Sequence, residues 1–274
     1  MISALALTLL LAAPAPPEGI VWEKGFDQAM EQAREVEAPV IVFFRADWCG
    51  LCLRLDRSTW VEPLVTTRVK DFVMVRVDTE TQRGAEIARA HAVQNLPTIL
   101  FLSPSGRQLL RVQGFQGPGQ FPRTMDLAHE TGRWVMTREE ALERDPGDPV
   151  ALLALGEHLF AQERYQESQG LLIQAAAHDR ERPAPERRRT RTLLAILQHA
   201  GRQFAEAEVV IKEALSIDPE APDQPQLLFI LGRTYVKWGR HELGVETMQV
   251  IVKEHPQSPM AQKARETLVT LERK

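Results

Sequence analysis

Cysteine is almost absent from this chain of 274 residues, which contains two. That count excludes a disulfide-stabilised scaffold, a four-cysteine zinc site and an all-cysteine iron–sulfur cluster. A strong charge of one sign is also missing. The formal net charge is -4, with 14 basic and 15 acidic residues from Glu18 to Arg133 and 19 and 22 beyond. Neither part is a basic module, so no nucleic-acid partner is expected. The seven histidines include no H-x-x-x-H spacing. Gly114, Gly117 and Gly119 lack the strand-to-helix G-x-G-x-x-G pattern and read as turn glycines. What is present is an ordinary globular composition, 44% hydrophobic and 26% charged, in a chain long enough for about two domains.

Met1 to Pro17 carries no charged side chain, and Ile2 to Ala13 is apolar apart from Ser3 and Thr8. The run is short for a membrane span and suits a signal-peptide core, with Ala13-Pro14-Ala15 as a small-x-small cleavage pattern. No Lys or Arg precedes it, and proline follows either cut. An uncleaved N-terminal anchor and a misassigned start codon therefore compete with the signal-peptide reading. Residues 1–17 are expected to be a signal peptide or anchor and the chain to be exported, with membrane contact only through such an anchor. A single cysteine pair would then face an oxidising compartment.

From residue 18 to 132 the pattern alternates. Phe26, Ala29, Met30, Ala33 and Val36 lie at helical spacing. Pro39 precedes Val40-Ile41-Val42-Phe43-Phe44, a run of strand length suited to a sheet buried on both faces. A helix is expected from about Cys49 toward Trp60, a strand over 72–77, a helix over 86–92 and a strand over 96–102. Pro104-Ser105-Gly106 then turns the chain into a returning strand over 108–112, and a helix follows over 119–129. Strands alternating with helices and then pairing as a hairpin make a compact α/β layer structure.

Residues 133–274 read as helical throughout, with a repeat. Leu155-Gly156 with Leu159, Leu194-Ala195, and Leu231-Gly232 with Tyr235 occupy equivalent places. Tyr165, Phe204 and His241 follow at the turns. Then come Ser168 with Leu172 and Ala175, Ala207 with Ile211 and Ala214, and Gly244 with Met248 and Ile251. The small-residue and aromatic pattern resembles the tetratricopeptide repeat. The spacings are 39 and 37 residues, longer than the ~34 of that repeat; the Arg180-to-Arg189 and Glu220-to-Pro225 connections accommodate the excess. A generic helical bundle is the competing reading. Ser258 to Leu271 reads as a capping helix, and Glu139 to Pro146 as the second half of a further repeat. No Gly/Ser-rich linker separates the two parts, which predicts a stiff junction. Arg187-Arg188-Arg189 with Arg191 is a basic knot diluted by Glu181 and Glu186, and reads as a solvated helix start.

The chemistry lies in Cys49-Gly50-Leu51-Cys52, a C-x-x-C that follows a buried strand and opens a helix. One turn separates the sulfurs, so they can close a disulfide at the helix N-terminus. There the helix dipole favours a Cys49 thiolate, the nucleophile of thiol–disulfide exchange. A static disulfide and half of a metal site are the competing readings. Leu53 after Cys52 breaks the haem-attachment pattern C-x-x-C-H. A zinc site would need to recruit distant ligands. No metal and no separate cofactor are expected.

Phe44-Arg45-Ala46-Asp47-Trp48-Cys49-Gly50-Leu51-Cys52, then Leu96-Pro97-Thr98-Ile99-Leu100-Phe101, then Gly114-Phe115, resembles the thioredoxin superfamily. The likeness is strongest to the C-terminal thioredoxin-like domain of the membrane thiol–disulfide interchange proteins, which are periplasmic reductases. It covers about Ile20 to Glu130. It implies a thioredoxin fold, a central mixed sheet flanked by helices, followed here by the all-α tetratricopeptide-repeat solenoid. It also implies that Cys49 attacks a substrate disulfide and Cys52 resolves the mixed disulfide, and that Pro97 is cis beside the pair. Leu96 would offer backbone hydrogen bonds to substrate, with Trp48, Gly50 and Leu51 as further substrate contacts. Core packing is the competing reading of Trp48.

One departure is plain. Many thioredoxins carry a buried Asp six residues before the first cysteine, and here that residue is Phe43. Asp56, one turn beyond Cys52, is the candidate proton acceptor, with ordered water and Asp47 behind it and a solvated surface charge as its plain reading. The expected function is that of an exported, periplasmic protein-disulfide reductase. Its partners are protein thiol/disulfide substrates, a redox donor and a protein bound at the repeat groove. The alternatives are an interaction scaffold with little turnover and a bound-metal chaperone.

Overall fold

The computed structural model describes residues 19–272, so the readings placed on residues 1–17 lie outside the described residues. The chain divides between Trp134 and Val135 into two units.

In the first unit four strands, β1 (Val40–Arg45), β2 (Val73–Asp78), β3 (Thr98–Leu102) and β4 (Gln108–Gln113), form one mixed sheet in the order β2-β1-β3-β4. β1 runs parallel to β2 and antiparallel to β3, and β3 pairs antiparallel with β4. Residues 40–44 are wholly buried, so the central strand faces apolar layers on both sides. On one face Val40, Val42 and Phe44 pack with Ala29, Met30 and Ala33 of helix α1 (Phe26–Val36) and with Ile87 and Ala88 of α4 (Gln82–Ala90). On the other, Phe43 meets the rings of Trp22 and Trp60, and Trp60 stacks edge-on against Phe121 at 4.9 Å. Phe121 opens α5 (Phe121–Arg144). Between β1 and β2 lie α2 (Gly50–Arg54), continued by a π-turn over Leu55–Thr59, and α3 (Pro63–Arg68).

The start of α4, the start of β3 and the end of α5 differ from the periodicity-based expectation for local reasons. α4 starts at Gln82 because Thr81 caps it, its hydroxyl accepting from the Gly84 amide at 3.0 Å. Only glycine fits at 84, since a Cβ there would lie 1.8 Å from the Asp78 carbonyl oxygen. β3 starts at Thr98, after a cis Leu96–Pro97 peptide. α5 continues through Gly132 to Arg144 without a break; a Cβ at 132 would come 3.3 Å from Leu109 Cδ1, so the glycine marks close helix–sheet approach rather than a helix end.

The second unit is helical. Three helix pairs follow one another: α6 (Pro149–Ala161) with α7 (Tyr165–His178), α8 (Ala184–Ala200) with α9 (Phe204–Ile217), and α10 (Gln224–Trp238) with α11 (His241–Glu254). α12 (Pro259–Glu272) comes last. The turn inside each pair is the same. Glu163, Arg202 and Gly239 take φ of 60°, 61° and 85°. The amides of Arg164, Gln203 and Arg240 then donate to the carbonyls of Leu159, Gln198 and Tyr235 at 2.8–2.9 Å. Small residues let the paired helices touch: a Cβ at Gly156 would lie 3.0 Å from Leu172, and one at Gly232 would lie 2.8 Å from Met248.

Two residues of the arginine knot depart from the solvated reading, while Arg189 is exposed as expected. Arg188 is 2% exposed and Arg191 7%. Arg188 donates to Asp223 and to the carbonyls of Ala214 and Asp218. Arg191 donates to the buried Asp179 at 2.6 Å and to Glu213 at 3.3 Å. The carboxylates that draw these arginines inside come from neighbouring helices and loops, which charge counting along the chain does not show.

Candidate active site

β1 ends at Arg45 and the loop Ala46-Asp47-Trp48 delivers Cys49 to the start of α2. Cys49 caps that helix: the Cys52 amide donates to Cys49 Sγ at 3.2 Å, and the Leu53 amide donates to the Cys49 carbonyl at 3.1 Å. The two cysteines are joined as a disulfide with Cα atoms 5.2 Å apart. Cys52 is fully buried, whereas Cys49 keeps 5% of its surface. Around Cys49 the rim is open and largely apolar, with Trp48 70% exposed, Leu51 45% exposed and Gly50 exposed. A reaction partner can therefore reach Cys49 and not Cys52. The amide aimed at Cys49 Sγ also stabilises negative charge there once the disulfide opens.

The sheet register places the Leu96–Pro97 segment at the same end of the sheet. Thr98 lies opposite Phe44, one residue before the end of β1. The Pro97 carbonyl accepts from the Gly114 amide at 2.8 Å, and Thr98 Oγ1 donates to the Asn95 carbonyl at 2.7 Å, so the segment is tied at both ends. Trp48 and Leu96 line one open cavity of about 520 Å³, together with Arg89, Gln94 and Asn95. Trp48 is thus a surface platform, not a core residue.

Asp56 lies in the π-turn, one turn past Cys52, and is partnered. It accepts from Arg76 at 2.8 Å, with Arg45 Nε 3.9 Å away, while Arg45 reaches Asp47 at 2.9 Å. Asp47 itself is 88% exposed. Phe43, beside Arg76 in the strand register, is closed in by the rings of Trp22 and Trp60. Arg45, Arg76 and Arg89 were not singled out by sequence reasoning. The one available signal was Arg76, a lone cation inside the apolar run Val73-Met74-Val75-Arg76-Val77. Among the described residues no three His, Cys, Asp or Glu side chains gather as a metal site.

A thioredoxin-like family model matches residues 21–104. The thiol:disulfide interchange protein DsbD of Vibrio vulnificus is 31% identical over 98 residues, 34% of this chain and 16% of that protein. The thioredoxin-related protein DsbJ of Chlamydia pneumoniae is 26% identical over 119 residues, 39% of this chain and 34% of that protein. The chain thus spans about a sixth of the length of the interchange proteins it matches. Among solved structures, DsbH oxidoreductase is 21% identical with a TM-score of 0.40, covering 46% of this chain and 95% of that one. A thioredoxin from Thermus thermophilus is 24% identical with a TM-score of 0.37, covering 39% and 85%. Residues 21–104 are a thioredoxin-like domain related to the thiol:disulfide interchange proteins.

Proposed function

We propose that this protein is an exported, periplasmic thiol–disulfide oxidoreductase that reduces protein disulfides through Cys49 and Cys52. The observation that carries the reading is the asymmetry of the pair: Cys49 at an open apolar rim with a helix amide on its sulfur, and Cys52 sealed behind it. In the reduced protein the Cys49 thiolate attacks one sulfur of a substrate disulfide. The substrate S–S bond breaks, a Cys49–substrate disulfide forms, and the other substrate sulfur leaves as a thiolate that takes up a proton. Deprotonated Cys52 then attacks Cys49 Sγ, closing the disulfide described above and releasing the second substrate thiol. Two electrons pass to the substrate, and an external dithiol donor returns the pair to its reduced state. Asp56 accepts the Cys52 proton, directly or through water, while Arg76 holds the carboxylate in place. Trp48, Gly50, Leu51 and the Leu96 backbone seat the substrate chain, and Pro97 shapes that seat.

The helical unit serves as a tetratricopeptide-type solenoid whose groove recruits a protein partner and raises its effective concentration near the cysteines. The repeated turn at Glu163, Arg202 and Gly239 supports this reading. Residues 1–17 act as the export signal or anchor; N-terminal sequencing of the protein from a periplasmic fraction tests that part.

Insulin reduction by dithiothreitol tests the chemistry. Wild type is expected to accelerate it, Cys49→Ser to leave it at the uncatalysed rate, and Cys52→Ser to accumulate mixed disulfides with substrates. No acceleration by wild type, with partner capture equal in Cys49→Ser, would establish the interaction scaffold instead.

A further inference from the structure

The cavity between Trp48 and Leu96 has one ionisable side chain in its lining, Arg89. Arg89 lies in the last turn of α4 and is exposed. Its own helix offers it no partner: Ala85 is four residues back, and Glu86, three back, is occupied by Arg83 at 3.6 Å and by the Gln82 amide at 3.3 Å. Arg89 forms no ion pair with any carboxylate among the described residues. The other walls are neutral, and the nearest acid on the cysteine loop, Asp47, is engaged by Arg45.

The cavity wall beyond α4 is fixed. Arg111 donates to the carbonyls of His91 at 2.5 Å and Ala92 at 3.3 Å, and the Val93 amide donates to the Ala88 carbonyl at 2.8 Å. Arg89 therefore stands on a rigid support and not on a mobile loop. A guanidinium grips a carboxylate in two parallel hydrogen bonds, and apolar neighbours such as Trp48 and Leu96 strengthen that contact relative to open water.

We propose that Arg89 makes this site selective for polypeptide disulfides flanked by an acidic residue, the substrate carboxylate docking on Arg89 while its sulfur meets Cys49. The proposal rests on the oxidoreductase reading and adds to it a substrate class and a specificity-determining residue.

The test uses the full chain and three peptide disulfides that differ only in carrying Glu, Ala or Lys beside the cysteine. Reduced wild type is expected to react with the Glu peptide about threefold faster than with the Ala peptide, the scale of an exposed ion pair. The gap over the Lys peptide widens to about tenfold. Arg89→Glu reverses the order, and salt at about 0.5 M flattens it in wild type. A second arm titrates the oxidised chain with cysteine-free versions of the peptides and follows the Arg89 Nε–H resonance, where the same order of affinity is expected. Equal rates and equal affinities for the three peptides, or an order unchanged by Arg89→Glu, overturn the assignment of Arg89. An intact affinity order with no reduction of any peptide upholds Arg89 as an acidic-peptide contact and overturns the oxidoreductase reading.

Discussion

The two units use their polar groups in opposite ways. In the thioredoxin-like unit the buried polar side chains, such as Thr59, Thr98, Ser103 and Gln108, are uncharged, and the charged groups near the cysteines, Arg45, Asp47, Asp56 and Arg76, form a chain at the rim. In the helical unit charge goes inside: the Arg191–Asp179 pair is almost without solvent contact, and Arg188 is sealed among helix-end carbonyls. Both cysteines belong to the first unit's site, so neither unit has a structural disulfide beyond it. A unit whose core is apolar on both sheet faces can carry an open, reactive rim. A stack of similar helix pairs must instead fix which helix neighbours which, and the buried arginine pairs are expected to serve that register at little net gain in stability.

The largest effect separating the units is expected from Cys49→Ser. Disulfide exchange should fall by at least about a thousandfold, since the remaining thiol, Cys52, is fully buried and out of reach of a substrate disulfide. Unfolding of the helical unit, followed by 19F NMR of fluorotryptophan at Trp238, should not move. A shift at Trp238 would break the separation.

Next in size is the buried pair. Arg191→Ala leaves the buried Asp179 carboxyl without its partner and is expected to destabilise the helical unit by about 3–5 kcal/mol. Replacing both residues, Arg191→Met with Asp179→Leu, should recover most of that loss. Failure of the double variant to recover would mean the pair stabilises the helical unit outright and is not there for register. In the first unit the corresponding loss comes from a ring: Trp60→Ala, which empties the space among Trp22, Phe43 and Phe121, should cost about 3–5 kcal/mol by leaving a cavity.

How far the sequence foretells this molecule follows the same division. Val40 to Phe44 and the Cys49–Cys52 pair are legible because strand burial and capping chemistry are local. The helix pairs are legible because Gly156, Ala195 and Gly232 recur in phase. The Asp56–Arg76 pair is not legible, because it depends on which residue of β2 lies beside Phe43 in a parallel register. The buried arginines read as solvated for the same reason: Asp179, Glu213 and Asp223 approach them through the fold and not along the chain. Arg89 stands out only once the cavity is known to hold no other charge.

A smaller effect tests whether the three helix pairs are equivalent. Glu163 and Arg202 hold the left-handed conformation that Gly239 supplies in the third pair. Glu163→Gly or Arg202→Gly should therefore stabilise the helical unit by about 1 kcal/mol or less, because the Cβ penalty is removed while glycine adds unfolded-state entropy. Gly239→Ala should do the reverse. Thermal unfolding of the variants decides it, and destabilisation by either glycine would show that the Glu163 or Arg202 side chain contributes contacts that outweigh its backbone cost.

The smallest effect is a pH dependence confined to the helical unit. His199 Nδ1 lies 2.9 Å from Thr234 Oγ1, whose hydroxyl donates to the Ile230 carbonyl at 2.7 Å. The Thr234 oxygen thus accepts from Nδ1–H. Burial, followed by the positive charges of Arg233 and Lys237, holds the His199 pKa below its ordinary 6.5. The unfolded chain then binds the proton first as pH falls. Stability from this residue is full above about pH 6.5 and declines as pH drops toward the folded pKa. His199→Gln should remove that decline, read as the denaturant midpoint at Trp238 between pH 7.5 and 5.5. Glu208 cannot produce the same signal. Hydrogen bonds from Lys212 and Tyr235 hold its carboxyl below the ordinary 4.5, so its contribution is lost only in more acid solution, as pH falls through its own folded pKa. Glu208→Gln should leave the slope between pH 7.5 and 5.5 intact. A slope that survives His199→Gln would assign the proton to another histidine of the helical unit.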